Sequence, residues 1–390
     1  MSIRLNEALD RVEPSKSVTL MNKVRLMQAQ DPSILNLTGG EPDFDTPEPI
    51  CREVYEQMLQ GCTHYSDSKG DPDLRAAIAR KLLADNHAPY SPDNILVTPG
   101  GKYAIYAAVQ ALVNPGDEVL WLTPGWVSYP AITTLCGGTP VAVHLDYEQD
   151  YAITCAQLEA CTTDRTKVLI LNFPNNPTGK LMTPADAAEL KTYLRRHPEV
   201  YVISDEIYEK IVFDGAYAAS LAGDPEFFAR ILVVNGFSKC SAMTGWRIGY
   251  LACSPEIYPG VMKIFQHSMS CTSAFIQKGA LKALELPEET ERMRAAYEHR
   301  RNLIYEGLKT IPNIEFKLPA GAFYAWIRFD TALTPAEVCD RLLEQAGIGG
   351  VPGDAYGEEG GCMVRFCFAK QDEILEDFVN RMRKFCAEEL

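Results

Sequence analysis

The chain has 390 residues, 46% of them apolar and 23% charged, with a formal net charge of −15. A chain of that length and balance is expected to fold as a soluble globular protein with one large and one small unit, or two to three domains, around an ample core. The acidic balance argues against nucleic-acid and anionic-membrane partners, both of which need a basic face.

In chain order, short apolar runs with strand character fall at Asn94–Thr98, Glu118–Thr123, Pro140–Leu145, Lys167–Phe173, Val200–Ser204, Ile231–Asn235 and Ile248–Cys253. Several lack a polar alternate, as strands covered on both faces do. Helical patterns at Lys102–Val113, Thr183–Arg196 and Pro255–Ser268 separate them, which predicts an α/β unit with a mainly parallel sheet. After about residue 285 the pattern changes to a charged amphipathic helix (Glu291–Lys309), a hairpin around Pro319-Ala320-Gly321, a helix (Pro335–Ala346), a strand (Met363–Phe368) and a final helix from Asp372. That order predicts a smaller α+β unit. The twelve cysteines form no C-x-x-C pair and no zinc spacing, so no metal site is expected and they are read as thiols of a reducing cytoplasm. No signal peptide and no bilayer-length apolar stretch is visible.

Chemistry concentrates where strands end. Gly100-Gly101-Lys102 follows a strand and opens a helix, where unpaired backbone N–H groups bind a phosphate and glycines allow close approach. Asn175-Asn176-Pro177-Thr178-Gly179 follows another strand as a turn, with Asn176-Pro177 a candidate cis peptide that would aim the asparagine inward. Asp205 stands at the end of Val200–Ser204, the edge at which open α/β sheets bind ligands. Its neighbour Glu206 points the other way on an extended segment. Lys239 follows the run Ile231–Val234, a costly place for a lysine unless it is paired or used covalently. Ser238 is a hydroxyl donor beside it, and Arg247 offers a bidentate charge for a phosphate. Arg365 lies amid the apolar run Cys362–Ala369, so it is either an edge residue or a buried anion receptor. Cys240, next to Lys239, is read as a packing residue.

Asn235-Gly-Phe-Ser-Lys-Cys-Ser-Ala-Met-Thr-Gly-Trp-Arg-Ile-Gly-Tyr250, with Gly100-Gly101-Lys102, Trp126, Asn176, Asp205 and Tyr208, resembles a class I, fold type I pyridoxal-phosphate-dependent aminotransferase. The likeness is nearest to the prokaryotic aspartate aminotransferase subgroup and covers nearly the whole chain. It implies pyridoxal 5′-phosphate as cofactor, attached at Lys239, with Asp205 facing the ring nitrogen, and Tyr208 and Asn176 near the phenolic oxygen. Trp126 would stack on the ring, and Arg247, Gly100, Gly101 and Ser238 would hold the phosphate. More distant family members place a serine three residues before the lysine, where this chain has Gly236, so no phosphate contact is expected there.

By the same resemblance Gly40, Trp126, Asn176 and Arg365 contact substrate; Phe323 matches a residue that packs near it, and core packing explains Phe323 equally well. Tyr65 would come from a partner subunit to the phosphate, which implies a homodimer with shared active sites. Lys102 is open to two roles, the substrate's distal carboxylate or the cofactor phosphate. The large unit is expected over residues 46–289 and the small one over 1–45 and 290–390. The expected reaction moves an amino group between an L-amino acid, aspartate or glutamate favoured, and a 2-oxo acid in a ping-pong cycle. An aromatic or broad-specificity transaminase is the alternative, and a carbon–sulfur β-lyase on the same scaffold a further rival, which would release pyruvate and ammonia without an oxo-acid acceptor. A regulator with a degenerate aminotransferase unit would need an attached DNA-binding domain, for which there is no room ahead of Gly40.

Overall fold

A computed structural model of the chain describes residues 5–358 and 360–389. Seven strands form the principal sheet: β1 (Ile95–Thr98), β2 (Glu118–Thr123), β3 (Thr139–His144), β4 (Thr166–Asn172), β5 (Tyr201–Asp205), β6 (Ile231–Gly236) and β7 (Gly249–Ala252). Their spatial order is β1-β7-β6-β5-β4-β2-β3. All neighbours are parallel except β7, which runs antiparallel to both β1 and β6. Each of the seven expected strands is present, with ends shifted by no more than a residue or so.

The two-residue period of a strand decides what each face buries. Along β4, Val168 and Ile170 join one apolar cluster while Leu169 and Leu171 join another. The first cluster is closed by the helix Gly101–Leu112, whose Ala104, Ile105, Ala107, Ala108 and Val109 are buried. The second is closed by the helices Pro72–Asn86 and Pro184–Arg196, through Leu74, Ile78, Leu82, Leu190 and Leu194. Both faces are covered, so the strands need no polar alternate.

A second sheet contains β8 (Ile314–Phe316), β9 (Tyr324–Phe329), β10 (Val351–Pro352) and β11 (Cys362–Cys367), in the order β10-β11-β9-β8 and antiparallel throughout. Tyr297, Ile304 and Leu308 of the helix Pro287–Leu308, and Phe378, Met382 and Phe385 of the helix Asp372–Glu389, pack on it. The segment Leu35–Asn36 pairs in parallel with Ile348–Gly349, which ties the N-terminal part of the chain to this second layer. The expected helix start at Pro255 is a turn, and the helix itself runs Tyr258–Ser268. Among the described residues no helix is long and apolar enough to cross a membrane.

Candidate active site

Strand direction gathers the chemistry at one edge of the sheet. The C-terminal ends of β1, β2, β4, β5 and β6 lead into Gly100, Trp126, Asn176, Asp205 and Lys239 respectively. Because β7 is reversed, it begins at that same edge, two residues after Arg247. A cavity of about 440 Å³ lies there, lined by Gly40, Gly101, Lys102, Trp126, Asn176, Asp205, Tyr208, Ser238, Lys239, Arg247 and Arg365 among others. Nearly every residue singled out from the sequence is therefore brought together. Gly100 sits directly behind the lining, against Arg247. The exceptions are Phe323, which is buried behind the cavity, and Tyr65, which is 94% exposed and outside the cavity of its own chain.

At the glycine turn, Gly100 has φ of +88° and caps the helix Gly101–Leu112. A Cβ on Gly100 would stand 2.6 Å from Nη2 of Arg247, so only glycine lets the guanidinium close on the helix N-terminus. Free N–H groups and a guanidinium then face one place, a donor set suited to a phosphate. Nζ of Lys102 lies 4.9 Å from the Trp126 ring centroid, and burial together with the Arg247 charge lowers its pKa.

On the floor of the cavity, Asp205 is 4% exposed and its pKa is pushed up to about 6 by burial. Its Oδ2 accepts from Oη of Tyr129 at 2.7 Å and its Oδ1 from the N–H of Ile207 at 3.3 Å. Neither hydrogen-bond partner is charged, and the positive charge of Lys239 offsets little of the burial. Glu206 points to the opposite side, where Ser204, Ser220 and Asn86 donate to it at 2.9, 2.6 and 3.1 Å. The alternation expected along this strand end holds.

Lys239 is partly buried, and its surroundings lower the ammonium pKa to about 8, burial being the main cause. Its Nζ donates to the carbonyl oxygen of Gly40. Cys240 is held by packing, with Sγ 3.6 Å from the Gly236 carbonyl oxygen and a thiol pKa raised by burial.

Arg365 is 4% exposed and sits in an interior strand, since β11 pairs with β9 on one side and β10 on the other. The edge alternative is thereby removed. Its Nη1 donates to Oδ1 of Asn176 at 3.0 Å and its Nη2 to the carbonyl oxygen of Thr38 at 2.7 Å, while buried Nε has no partner. A buried guanidinium with a spare donor and no carboxylate beside it is a receptor for an anion.

One reading needs correction. The cis peptides are Thr123-Pro124 and Phe173-Pro174, and Asn176-Pro177 is trans. Asn176 is oriented instead by its N–H bond to Oδ1 of Asn172, at 2.9 Å, and by the grip of Arg365 on its amide oxygen. For Phe323 the core-packing alternative holds: it is fully buried, outside the cavity lining, and packs edge-on against Tyr208, with ring centroids 5.5 Å apart.

The sequence reading missed Tyr129, Asn172 and Tyr324, all of which line the cavity. Asn172 carried a signal, a polar residue closing an apolar strand. Its Nδ2 donates to the Asp205 carbonyl oxygen at 3.0 Å and joins the ends of β4 and β5. Tyr129 carried none, because its role depends on one helical turn lying under Asp205.

The pattern of the family described as aminotransferase class I and II matches residues 32–382. The chain is 40% identical to an aspartate aminotransferase of Musicola paradisiaca, over 95% of this chain and 93% of that one. It is 38% identical to an aspartate/prephenate aminotransferase of Cereibacter sphaeroides, over 98% of both. The solved aspartate aminotransferase of Rhizobium meliloti superposes with a TM-score of 0.94 at 32% identity, covering 99% of each chain. An aromatic aminotransferase of Pyrococcus horikoshii superposes at 0.88 with 37% identity, covering 95% of this chain and 99% of that one. A full-length match in sequence and in fold, around a cavity with a lysine, a carboxylate and an anion receptor, makes this chain a member of the class I and II aminotransferases.

Proposed function

We propose that the cavity holds pyridoxal 5′-phosphate, and that the enzyme moves amino groups between L-amino acids, aspartate and glutamate favoured, and 2-oxo acids in a ping-pong cycle. The carrying observation is the convergence of Lys239, Asp205, Arg365 and the glycine turn on one cavity. The residues fit the group: Gly101, Ser238 and Arg247 suit its phosphate, Trp126 a ring face, Asp205 the ring nitrogen, and Tyr208 and Asn176 the phenolic oxygen. Bound there, the cofactor supplies an electron sink for the charge left on the substrate's Cα.

The chain's own residues do the rest. A lysine titrating near 8 offers a usable fraction of free amine at neutral pH, so Nζ of Lys239 can take the Cα proton and later return it. Arg365 takes the α-carboxylate and, with Asn176, fixes the orientation in which Cα–H rather than the carboxylate bond is broken. Covalent attachment is tested by borohydride reduction and peptide mapping. The pyridoxyl label is expected on Lys239, and label on Lys102 or Lys210 would overturn the assignment.

Lys102 is assigned to the distal carboxylate of a dicarboxylic substrate. Its lowered pKa reflects burial beside Arg247 with no anion to offset it, an arrangement that favours a bound anion. Lys102→Ala should lower kcat/KM for aspartate about ten-fold, or ~1.4 kcal/mol, and leave phenylalanine nearly unchanged. An equal loss for both, with weaker cofactor binding, would return Lys102 to the phosphate.

A second reading, aromatic or broad specificity, is favoured by one observation: Val18, Met21 and Ile105 also line the cavity and offer an apolar wall. Half-reaction rates for a panel of dicarboxylic, aromatic and aliphatic amino acids, followed by cofactor absorbance, separate the two. The same proposal includes a homodimer in which Tyr65 of each copy serves the other's site, supported by the exposure of that tyrosine. It also includes a cytoplasmic location, supported by twelve free cysteines. The division into 46–289 and 1–45 with 290–390 is supported by the pairing of Leu35–Asn36 with Ile348–Gly349.

A further inference from the structure

Tyr324 is 1% exposed at the start of β9, and no role falls to it from the sequence. Its hydroxyl lies 2.5 Å from that of Tyr208. The guanidinium of Arg365 stands 4.4 Å from its ring centroid. A Cβ on Gly40 would approach the same hydroxyl to 2.8 Å, so the segment whose carbonyl accepts from Lys239 is pressed against it. One side chain therefore touches the carboxylate receptor, the cofactor-side tyrosine and the strand-end loop that faces Lys239.

The two hydroxyls carry two protons, and the bond between them uses one. The more acidic phenol is the better donor, and Arg365 over the Tyr324 ring makes Tyr324 the more acidic. Burial raises the pKa of both phenols and the Arg365 charge lowers both, but Arg365 lies directly over the Tyr324 ring, which gives Tyr324 the larger share of that effect. With Tyr324 as donor, the proton of Tyr208 is left for an acceptor in the cavity. We propose that Tyr324 is a positioning residue that donates to Tyr208, aims the Tyr208 proton into the cavity, and passes on the charge state of Arg365. When a carboxylate neutralises Arg365, Tyr324 becomes a weaker donor and so, in turn, does Tyr208. The other groups acting on the pair are Cys367 and Arg365 from β11, and Asp205 and Lys239 at the ends of β5 and β6. This inference rests on the proposed cofactor reading, in which the acceptor is the phenolic oxygen.

The test uses Tyr324→Phe holoenzyme, which keeps the ring against Arg365 and loses only the hydroxyl. KM for the amino acid should stay within about two-fold while kcat falls about ten-fold. The pH midpoint of the bound cofactor's absorption change should rise by about one unit, because an oxygen with a weaker donor is more basic. Saturating succinate, which does not react, should shift that midpoint less in the variant than in the native enzyme. Tyr324→Leu, which also removes the ring, should raise KM as well. An unchanged midpoint and kcat in Tyr324→Phe would overturn the proposal. Absence of a borohydride label on Lys239 in the native enzyme would instead overturn the cofactor reading beneath it.

Discussion

Lys239→Ala is expected to lose transamination by at least about 10⁴-fold, since in the proposed function one group is both the attachment point and the proton carrier. No neighbour can substitute. Of the other lysines, Lys102 lines the same cavity but stands over Trp126, 4.9 Å from its ring centroid, and Lys210 is paired with Asp85 at 2.8 Å. Single-turnover measurement with an amino acid, following cofactor absorbance, reads the loss directly. Cofactor binding should persist, because the glycine turn, Arg247 and Asp205 remain. A variant with a loss below about ten-fold would remove Lys239 from proton transfer.

Asp205→Asn should cost about 10³-fold or more in the same half-reaction, because a neutral amide cannot hold a cation on the ring nitrogen. The cofactor-free protein should respond in the opposite sense. Folding raises the carboxyl pKa from 3.8 to about 6, so above pH 6 the folded state carries a buried charge that the unfolded chain holds in water. That shift corresponds to about 3 kcal/mol of destabilisation. The penalty is absent below pH 3.8, where both states are protonated, grows between the two values, and is complete above 6. Asp205→Asn should therefore raise the stability of cofactor-free protein at pH 7 to 8, by denaturant titration, and the gain should vanish near pH 4. An equal gain at both pH values would mean that the carboxylate is not the source.

How much of this could be read beforehand follows from range. The strands and the helices Pro184–Arg196 and Pro335–Ala346 were legible because local chemistry agrees with the fold. Thr183 and Thr334 each cap the following helix through a reciprocal side-chain pair, just before a proline. The helix Pro72–Asn86 was harder to see, since its buried residues, from Leu74 and Arg75 through Ala77, Ile78 and Ala79, spread around the axis and show no single stripe. In the site, residues at strand ends carried their own signal. Tyr129 and Tyr324 did not, because each acts through a partner 76 or 116 residues away in sequence. The aim of Asn176 was misread for the same reason, as it depends on Arg365 from the other sheet.

The reversal of β7 sets which parts of the chain can vary in length. Lys239 and Arg247 belong to one loop that leaves β6 and re-enters the sheet as β7 at the same edge, with Gly236 and Gly249 facing each other across the strands. Both ends of that loop are anchored in the sheet, so an added residue between Lys239 and Arg247 changes the path that sets the amine relative to the guanidinium. At the opposite edge, β7 runs out into Ser254 and the turn before Tyr258, far from any group that must meet another. Natural drift and deliberate grafting are thus confined by strand direction: insertions belong at the quiet edge, and the eight-residue step from Lys239 to Arg247 is a fixed ruler.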